Sequence, residues 1–200
     1  MPKSFVHRCK YRMDKKKIRQ ELILKRKSID KSEKIIYDKR ISRLIIGTSF
    51  FEEARNVLVF ASTSDEFDTK HIVKACRERN KKVFYPRCAD KNGNMDFFEI
   101  SCESDLSIGM FGIFEPTEKC KKYVPEKNDI VIVPALSVDS RFYRIGYGRG
   151  YYDRFLKDFQ GVSICPCYDE MLADILPVDE FDIKIDVLVT QRIVRRSYCE

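Results

Sequence analysis

A chain of 200 residues is long enough to bury most of its unfolded surface around one hydrophobic core, so we predict a single domain. Its net charge of +7, from 38 Lys and Arg against 31 Asp and Glu, favours acidic partners such as nucleic acid or polyanionic small molecules, although a solvated basic surface explains much of it. The eight cysteines form no CxxC pair, there are only two histidines, and no long apolar run is present, which argues against a disulfide framework, a zinc site and a membrane anchor.

The first 14 residues are a basic N-terminal extension, which we predict to be a flexible appendage to a domain of residues 15–200. A mitochondrial targeting peptide is the alternative, but the segment is short and lacks the Ser-rich amphipathic character of such peptides. We therefore expect a cytoplasmic protein.

Two helices are predicted after this extension. Residues 14–26 are dense in Lys and Arg and carry an apolar stripe at helical spacing. A second helix is expected to begin near Asp30, with Glu33 in the capping-box position, and to end at Gly47. The second helix should pack as core, whereas the basic face of the first is available for an anion.

Short apolar runs that alternate with helical patterns predict an α/β domain. Residues 56–61 are typical of a buried strand, 68–80 of a helix and 82–85 of a second strand, which together make a βαβ unit. Pro86 and Arg87 are expected to close this strand, with Arg87 facing an anion.

The rest of the chain contributes mainly strands. A hairpin around residues 91–94 leads into a strand at 95–100, and buried strands are predicted at 129–134, 162–167 and 186–190, the last being the final strand. The predicted fold is a three-layer α/β/α sandwich around a mainly parallel sheet, a single domain with a small antiparallel annex.

Three glycines at alternate positions, Gly146, Gly148 and Gly150, run directly into an amphipathic helical pattern. Glycine allows positive φ and a close backbone approach, and a helix N-terminus offers unpaired N–H groups and a partial positive charge. The flanking Arg144 and Arg149 add guanidinium groups, which pair with phosphate through two parallel hydrogen bonds. We therefore predict a phosphate site, with a tight turn as the alternative.

The helix that follows the glycines carries a carboxylate and an apolar face. Asp153 is predicted to hold Mg²⁺ against the phosphates, because hard divalent cations take carboxylate oxygens. Tyr152, Phe155 and Leu156 have the spacing of core residues. The loop matches neither a Walker A motif nor a Rossmann fingerprint, since the nearest apolar run ends at Pro134, about a dozen residues upstream.

Residues 139–156, DSRFYRIGYGRGYYDRFL, closely resemble the signature of the 5-formyltetrahydrofolate cyclo-ligase family, also called methenyltetrahydrofolate synthetases. Further segments match in the family's order: Lys15 with Ile18 and Arg19, DEFDT at 65–69, YPR at 85–87, GIFEP at 112–116, and the stretch from Leu176 to Thr190. The chain departs from the pattern at Met171, where Gln is expected, at Arg149, where Lys or Gly is usual, and at Phe114, where Pro is common.

This resemblance implies an α/β sandwich that uses ATP and Mg²⁺ to convert 5-formyltetrahydrofolate to 5,10-methenyltetrahydrofolate, with release of ADP and phosphate. The implied route transfers the γ-phosphoryl group to the formyl oxygen, after which N10 closes the ring. Such chemistry depends on positioned substrates and neutralised charge more than on an acid or a base. The implied partner is a reduced folate, with or without a polyglutamate tail; we expect no nucleic acid or membrane partner, and a monomer or weak homodimer.

The resemblance also assigns roles to individual residues. The ATP-binding residues would be Lys15, Arg19, Arg144, Gly146, Gly148, Arg149, Gly150, Tyr151 and Tyr152. The substrate-binding residues would be Ala61, Glu66, Tyr147, Gly148, Arg149, Gly150 and Tyr151. The metal ligands would be Asp153 and Asp182, and the catalytic residues Arg149, Tyr151 and Asp153.

Position along the chain supports some of these roles. Lys15 and Arg19 are four residues apart, so they share one helical face. Glu66 follows a predicted strand in a polar loop, and ligand crevices of open α/β sheets lie beyond the C-terminal ends of strands; a solvated loop glutamate is the alternative. Asp139 is expected either to support the site or to anchor its loop.

Two rival functions stay open. A sugar-phosphate isomerase of similar architecture would use a carboxylate base and need no ATP. A nucleic-acid-binding module would use the basic helix at residues 15–27 and bind with strong salt dependence.

Overall fold

The structure is a computed structural model that describes residues 14–90, 93–109 and 112–197. The helices are α1 (Lys15–Lys27), α2 (Lys31–Ile46), α3 (Ser49–Glu53), α4 (Lys70–Glu78) and α5 (Tyr151–Asp158). The strands are β1 (Asn56–Leu58), β2 (Lys82–Cys88), β3 (Met95–Glu99), β4 (Leu106–Ile108), β5 (Phe114–Pro116), β6 (Lys122–Tyr123), β7 (Ile130–Ile132), β8 (Ser137–Val138), β9 (Arg144–Ile145), β10 (Val162–Pro166), β11 (Val187–Val189) and β12 (Val194–Arg196). The predicted extension lies outside the described residues except for Asp14, as do residues 91 and 92 of the predicted hairpin.

An eight-stranded sheet in the order β12-β11-β10-β7-β1-β2-β3-β6 forms the centre of the fold. Strands β11, β10, β7, β1 and β2 run parallel to their neighbours, while β12, β3 and β6 pair antiparallel at the two edges. Two further antiparallel pairs, β4 with β5 and β8 with β9, lie outside this sheet. The predicted βαβ unit, the mainly parallel sheet and the small antiparallel annex are therefore confirmed.

Local sequence signals set the ends of the helices. Asp14 and Asp30 accept hydrogen bonds from first-turn N–H groups of α1 and α2, and α2 ends at Gly47. At the start of α4, Thr69 does not cap the helix with its side chain; its hydroxyl donates to the carbonyl oxygen of Phe60 at 3.0 Å. This bond ties α4 to the chain that leaves β1.

Helices cover both faces of the sheet. The side chain of Tyr85 in β2 lies near Thr69, which immediately precedes α4, and Tyr85 pairs with Phe98 across the β2–β3 ladder. Successive strand residues point to opposite faces, so Phe97 points away from the Tyr85 face. The ring of Phe97 packs on Phe155 of α5, with centroids 4.8 Å apart. Helices α4 and α5 thus lie on opposite faces, which gives the predicted three layers.

The described cysteines behave as core residues rather than as cross-links. All six are free thiols, and Cys76, Cys165 and Cys167 are buried. Burial raises the pKa of the Cys76 and Cys165 thiols to about 12, which keeps them protonated and unreactive. No helix in the described ranges is both long enough and apolar enough to cross a membrane.

The prediction that Pro86 closes β2 is wrong, because β2 continues to Cys88. The carbonyl oxygen of Phe84 accepts a bond from Val59 N, so residue 84 directs its backbone groups toward the β1 side. The backbone groups of Pro86, two residues later, point toward the same side of β2, but β1 has already ended at Leu58 and offers no partner there. The N–H that proline lacks therefore costs no bond in the ladder.

Two further predictions about strands are wrong. The strand β11 is not the final one, because β12 follows it and adds an antiparallel edge. The glycine loop does follow a strand directly, because β9 ends at Ile145; β9 pairs with β8 in a separate hairpin. Strands of two or three residues are too short to show an alternating pattern, which explains why the sequence did not reveal β8, β9 and β12.

Candidate functional site

A cavity of about 1350 Å³ opens beyond the carboxyl ends of the parallel strands, where Ala61 and Pro134 follow β1 and β7 and Cys88 ends β2. Pockets for one drug-sized ligand are typically about 300 to 1,000 Å³, so this cavity has room for two ligands. All fourteen residues given roles by the family resemblance line it: Lys15, Arg19, Ala61, Glu66, Arg144, Gly146, Tyr147, Gly148, Arg149, Gly150, Tyr151, Tyr152, Asp153 and Asp182.

The glycine loop needs glycine at two of its three positions. Gly148 has φ +95°, and a Cβ atom there would lie 2.8 Å from the guanidinium carbon of Arg19. Gly150 has φ +70° and immediately precedes α5. The first-turn N–H groups of α5 have no partner within the helix, so the loop and the helix start present backbone donors at the cavity wall.

Arg144 and Asp153 form an ion pair within this wall. The Arg144 guanidinium is 3.0 Å from Asp153 Oδ1 and donates to the carbonyl oxygen of Ile183 at 2.9 Å. The same Oδ1 accepts from the Ile183 N–H at 3.2 Å. Asp153 Oδ2 has no hydrogen-bond partner among the described residues. The pair joins α5 to the segment near Ile183 and leaves one carboxylate oxygen available.

Lys15 makes a second ionic cluster with the same segment, which contains Asp179 and Asp182. Its ammonium group lies 2.8 Å from Asp179 Oδ2 and also pairs with Asp182. Burial acts to lower the pKa of Lys15, but the hydrogen bonds and charges of the two carboxylates outweigh burial and raise it. Lys15 is therefore cationic and held at the start of α1.

The cavity carries carboxylates, but they do not form a closed metal cage. Within the described ranges, no group of three His, Cys, Asp or Glu side chains could hold a metal ion. Asp153, Asp179 and Asp182 nevertheless all line the cavity. This donor set fits Mg²⁺, which is usually held by one or two carboxylates together with substrate phosphates and waters.

Glu66 occupies the loop beyond β1 and is 6% exposed. Its Oε2 accepts from the N–H of Thr63 at 3.0 Å and from the Thr63 hydroxyl at 2.9 Å, so the loop fixes its own carboxylate. Two effects raise the pKa of the nearby Tyr147 hydroxyl to about 12. Burial is the larger effect, and the negative charge of Glu66 is the second. Glu66 is thus a buried acceptor at the cavity wall rather than a solvated loop residue.

Two arginines of α1 hold the glycine loop. Arg19 donates from Nε to the carbonyl oxygen of Gly146 at 3.1 Å. Arg26 donates to Ala135 O at 3.0 Å and to the hydroxyl of Tyr147. Arg26 is not among the site residues predicted from the sequence, although it follows Arg19 by seven residues, about two helical turns, and therefore shares its face.

The remaining aromatic and basic residues divide between wall and core. Tyr151 donates from its hydroxyl to the carbonyl oxygen of Asp90 at 3.2 Å. Tyr152 packs against the core and also lines the cavity; its hydroxyl has no partner in the described part of the chain, and burial raises its pKa. Arg149 lines the cavity, whereas Arg87 does not, because it packs over the Phe98 ring at 3.9 Å. The expectation that Arg87 faces an anion in this cavity is wrong.

Comparisons with known proteins agree with one another. The family model described as the 5-formyltetrahydrofolate cyclo-ligase family matches residues 12–191. The 5-formyltetrahydrofolate cyclo-ligase of Escherichia coli is 31% identical over 142 residues, covering 68% of this chain and 78% of that protein. The mouse (Mus musculus) enzyme of that name is 23% identical over 184 residues, covering 86% and 91%. The NMR structure of Aquifex aeolicus 5,10-methenyltetrahydrofolate synthetase has a TM-score of 0.82 at 27% identity, covering 93% and 94%.

Proposed function

Because the chain belongs to the 5-formyltetrahydrofolate cyclo-ligase family, we propose that it uses ATP and Mg²⁺ to close 5-formyltetrahydrofolate to 5,10-methenyltetrahydrofolate. The observation that carries this proposal is the convergence of the glycine loop, the α1 cations and the buried Glu66 on one cavity of about 1350 Å³. A cavity of that size accommodates a nucleotide and a folate side by side.

The chemistry has to remove the formyl oxygen, which is a poor leaving group. The γ-phosphoryl group passes from ATP to this oxygen, and ADP leaves. N10 then attacks the activated carbon, the C–O bond breaks with departure of phosphate, and the N10 proton is lost to give the methenyl cation. Catalysis of this kind rests on alignment and on neutralised phosphate charge, which suits a cavity rich in Arg and Lys side chains.

ATP would lie against the glycine loop and α1. The backbone donors of Gly146, Gly148 and Gly150 and the cations of Lys15, Arg19 and Arg144 would bind its phosphates, beside Arg149, Tyr151 and Tyr152. Two of these cations already have carboxylate partners, because Lys15 pairs with Asp182 and Arg144 with Asp153. Phosphate binding would therefore redistribute these ion pairs.

Mg²⁺ would be held by Asp153 and Asp182 together with the phosphates. When bound, the ion supplies positive charge against the phosphate oxygens during transfer. Asp153 can contribute its available Oδ2 without losing the Arg144 and Ile183 contacts that orient its Oδ1.

The folate would lie along Ala61, Glu66 and Tyr147, with the glycine loop beside it. Glu66 has acceptor lone pairs for the amino and ring N–H donors of the pterin. Arg149 and Tyr151 would lie between the two ligands, near the transferred group, which is the basis for assigning them catalytic roles alongside Asp153.

The test is a spectroscopic assay with 5-formyltetrahydrofolate, in which ATP and Mg²⁺ are left out in turn. The proposal requires near-ultraviolet absorbance of the methenyl product only when both are present. Turnover of a sugar phosphate without nucleotide would favour the isomerase, and strong salt-dependent affinity for DNA or RNA would favour the nucleic-acid-binding module. The monomeric or weakly dimeric state, the acceptance of polyglutamate tails and the cytoplasmic location stay predictions.

A further inference from the structure

Arg26 is a buried cation at the wall of the substrate cavity. The residue is 7% exposed, and no carboxylate of the described chain lies within ion-pair distance of its guanidinium. Its hydrogen bonds go to Ala135 O and to the hydroxyl of Tyr147, whose ring centroid lies 5.5 Å from the guanidinium carbon. Burying a guanidinium without a charged partner costs free energy. Its contacts hold the guanidinium against one side chain of the glycine loop, Tyr147.

The hydrogen bond between Arg26 and Tyr147 has a fixed direction. A guanidinium can only donate, so the Tyr147 oxygen must accept from it. The hydroxyl proton of Tyr147 is therefore left to donate to another group. The Glu66 carboxylate lines the same cavity and its charge contributes to the raised pKa of Tyr147, and a ligand acceptor placed at the hydroxyl would take this proton.

Glu66 and Tyr147 both line the cavity. The carboxylate supplies acceptors, only one of its oxygens being bound by Thr63, and the hydroxyl supplies a donor. An acceptor, acceptor, donor row complements a ligand edge with two donors followed by an acceptor. The 2-amino-4-oxo edge of a pterin has this order, with the amino group, the ring N3–H and the 4-oxo group.

We propose that Arg26 is a positioning residue that makes Tyr147 a hydrogen-bond donor to the 4-oxo group of the pterin, and so selects 4-oxo over 4-amino pteridines. The inference rests on the proposed function, because it takes the substrate to be a folate read by Glu66. A 4-amino group would place a donor against the Tyr147 donor. Sites built around a specific polar contact discriminate strongly against ligands that cannot make it.

The test uses folic acid and its 4-amino-4-deoxy analogue, which has an amino group in place of the 4-oxo group and therefore no hydrogen on N3, with Kd values measured by fluorescence titration. Tyr147→Phe and Arg26→Met should each raise the Kd for folic acid about tenfold, equal to roughly 1.4 kcal/mol of binding free energy. The Kd for the 4-amino analogue should stay within about twofold of its value with the unmodified protein. Arg26→Lys keeps a donor and should restore part of the loss. The double variant should be no weaker than Tyr147→Phe alone, because Arg26 acts through Tyr147.

Lys25→Met is the matched control, since Lys25 is exposed on the same helix and does not line the cavity. It should leave both Kd values unchanged. Equal weakening of both compounds by Tyr147→Phe, or no change in either, would overturn the inference. If Arg26→Met fails to fold, Tyr147→Phe still decides, because Tyr147 is 49% exposed and its loss removes only a hydroxyl. Absence of ATP-dependent turnover in the unmodified protein would count against the proposed function instead, because these binding measurements need no turnover.

Discussion

The Arg144 guanidinium lies 3.0 Å from the Asp153 carboxylate, and its side chain is only 4% exposed. This pair couples the strand before the glycine loop to the helix after it. Because a charged hydrogen bond in a largely buried pair is stronger and more directional than a surface one, Asp153 is held in one orientation. Its Oδ2 remains available for a ligand, and the first prediction concerns that oxygen.

Asp153→Asn should raise the Mg²⁺ concentration needed for half-maximal turnover by about tenfold, because an amide cannot supply the charge of a carboxylate to the ion. The amide oxygen can still accept from Arg144, so the fold should be retained. Asp158→Asn, an exposed change on the same helix, is the control. Superimposable Mg²⁺ titrations for both variants would remove Asp153 from the metal site.

Arg149→Ala should lower turnover by at least about tenfold, which corresponds to about 1.4 kcal/mol of lost transition-state stabilisation. Arg149 lies between two glycines and lines the cavity, so its charge faces the transferred phosphoryl group in the proposed mechanism. Steady-state kinetics with both substrates saturating measure this effect. Arg40→Ala, on the exposed surface of α2, should leave kcat unchanged. Normal kcat in Arg149→Ala would exclude a catalytic role.

Glu66→Gln should raise the half-saturating folate concentration by roughly five- to a hundredfold and leave ATP affinity nearly unchanged. The amide oxygen can keep the Thr63 contacts, and the NH₂ group then presents a donor where the pterin also has donors. Folate titrations and separate ATP-binding measurements distinguish the two ligands. Glu118→Gln, exposed and outside the cavity, is the control. Equal weakening of folate and ATP would argue that Glu66 supports the fold or the nucleotide.

Asp139→Asn should lower the free energy of unfolding by about 2 kcal/mol, because buried backbone donors lose a charged acceptor. Asp139 is 2% exposed and accepts from Arg141, from Tyr143 N at 3.0 Å and from Leu176 N at 3.0 Å. It does not line the cavity, so it anchors the loop before β9. Denaturant unfolding measures the loss. A variant with wild-type stability and impaired turnover would indicate a direct role instead.

The parts of the fold that the sequence predicted are those with local signals. The helix start at Asp30, the buried runs of the parallel strands and the alternating glycines each depend on signals within a few residues. The partners of Arg26 are not local, because Ala135 and Tyr147 are 109 and 121 residues away in the chain. Its role depends on how α1 lies against the glycine loop, and only the folded arrangement reveals that contact.

Pro86 shows a different reason why the sequence did not predict the length of a strand. Pro normally ends a strand, but here the neighbouring strand β1 has already ended, so its missing N–H has no consequence. The sequence gives no direct information on how long the neighbouring strand is. The direction of the Arg87 side chain was likewise not predictable from the sequence. Because β2 continues past Pro86, Arg87 lies within the strand, and its side chain points to the face that carries Phe98.

In the proposed mechanism the formyl oxygen is phosphorylated before the ring closes. The decisive experiment uses 5-formyltetrahydrofolate labelled with ¹⁸O in the formyl group, in a single turnover with ATP and Mg²⁺. The mechanism predicts that the released inorganic phosphate carries the ¹⁸O, one label for each methenyl product formed. Release of the label as water, with unlabelled phosphate, would show that ATP is cleaved without phosphoryl transfer to the formyl oxygen and would exclude this mechanism.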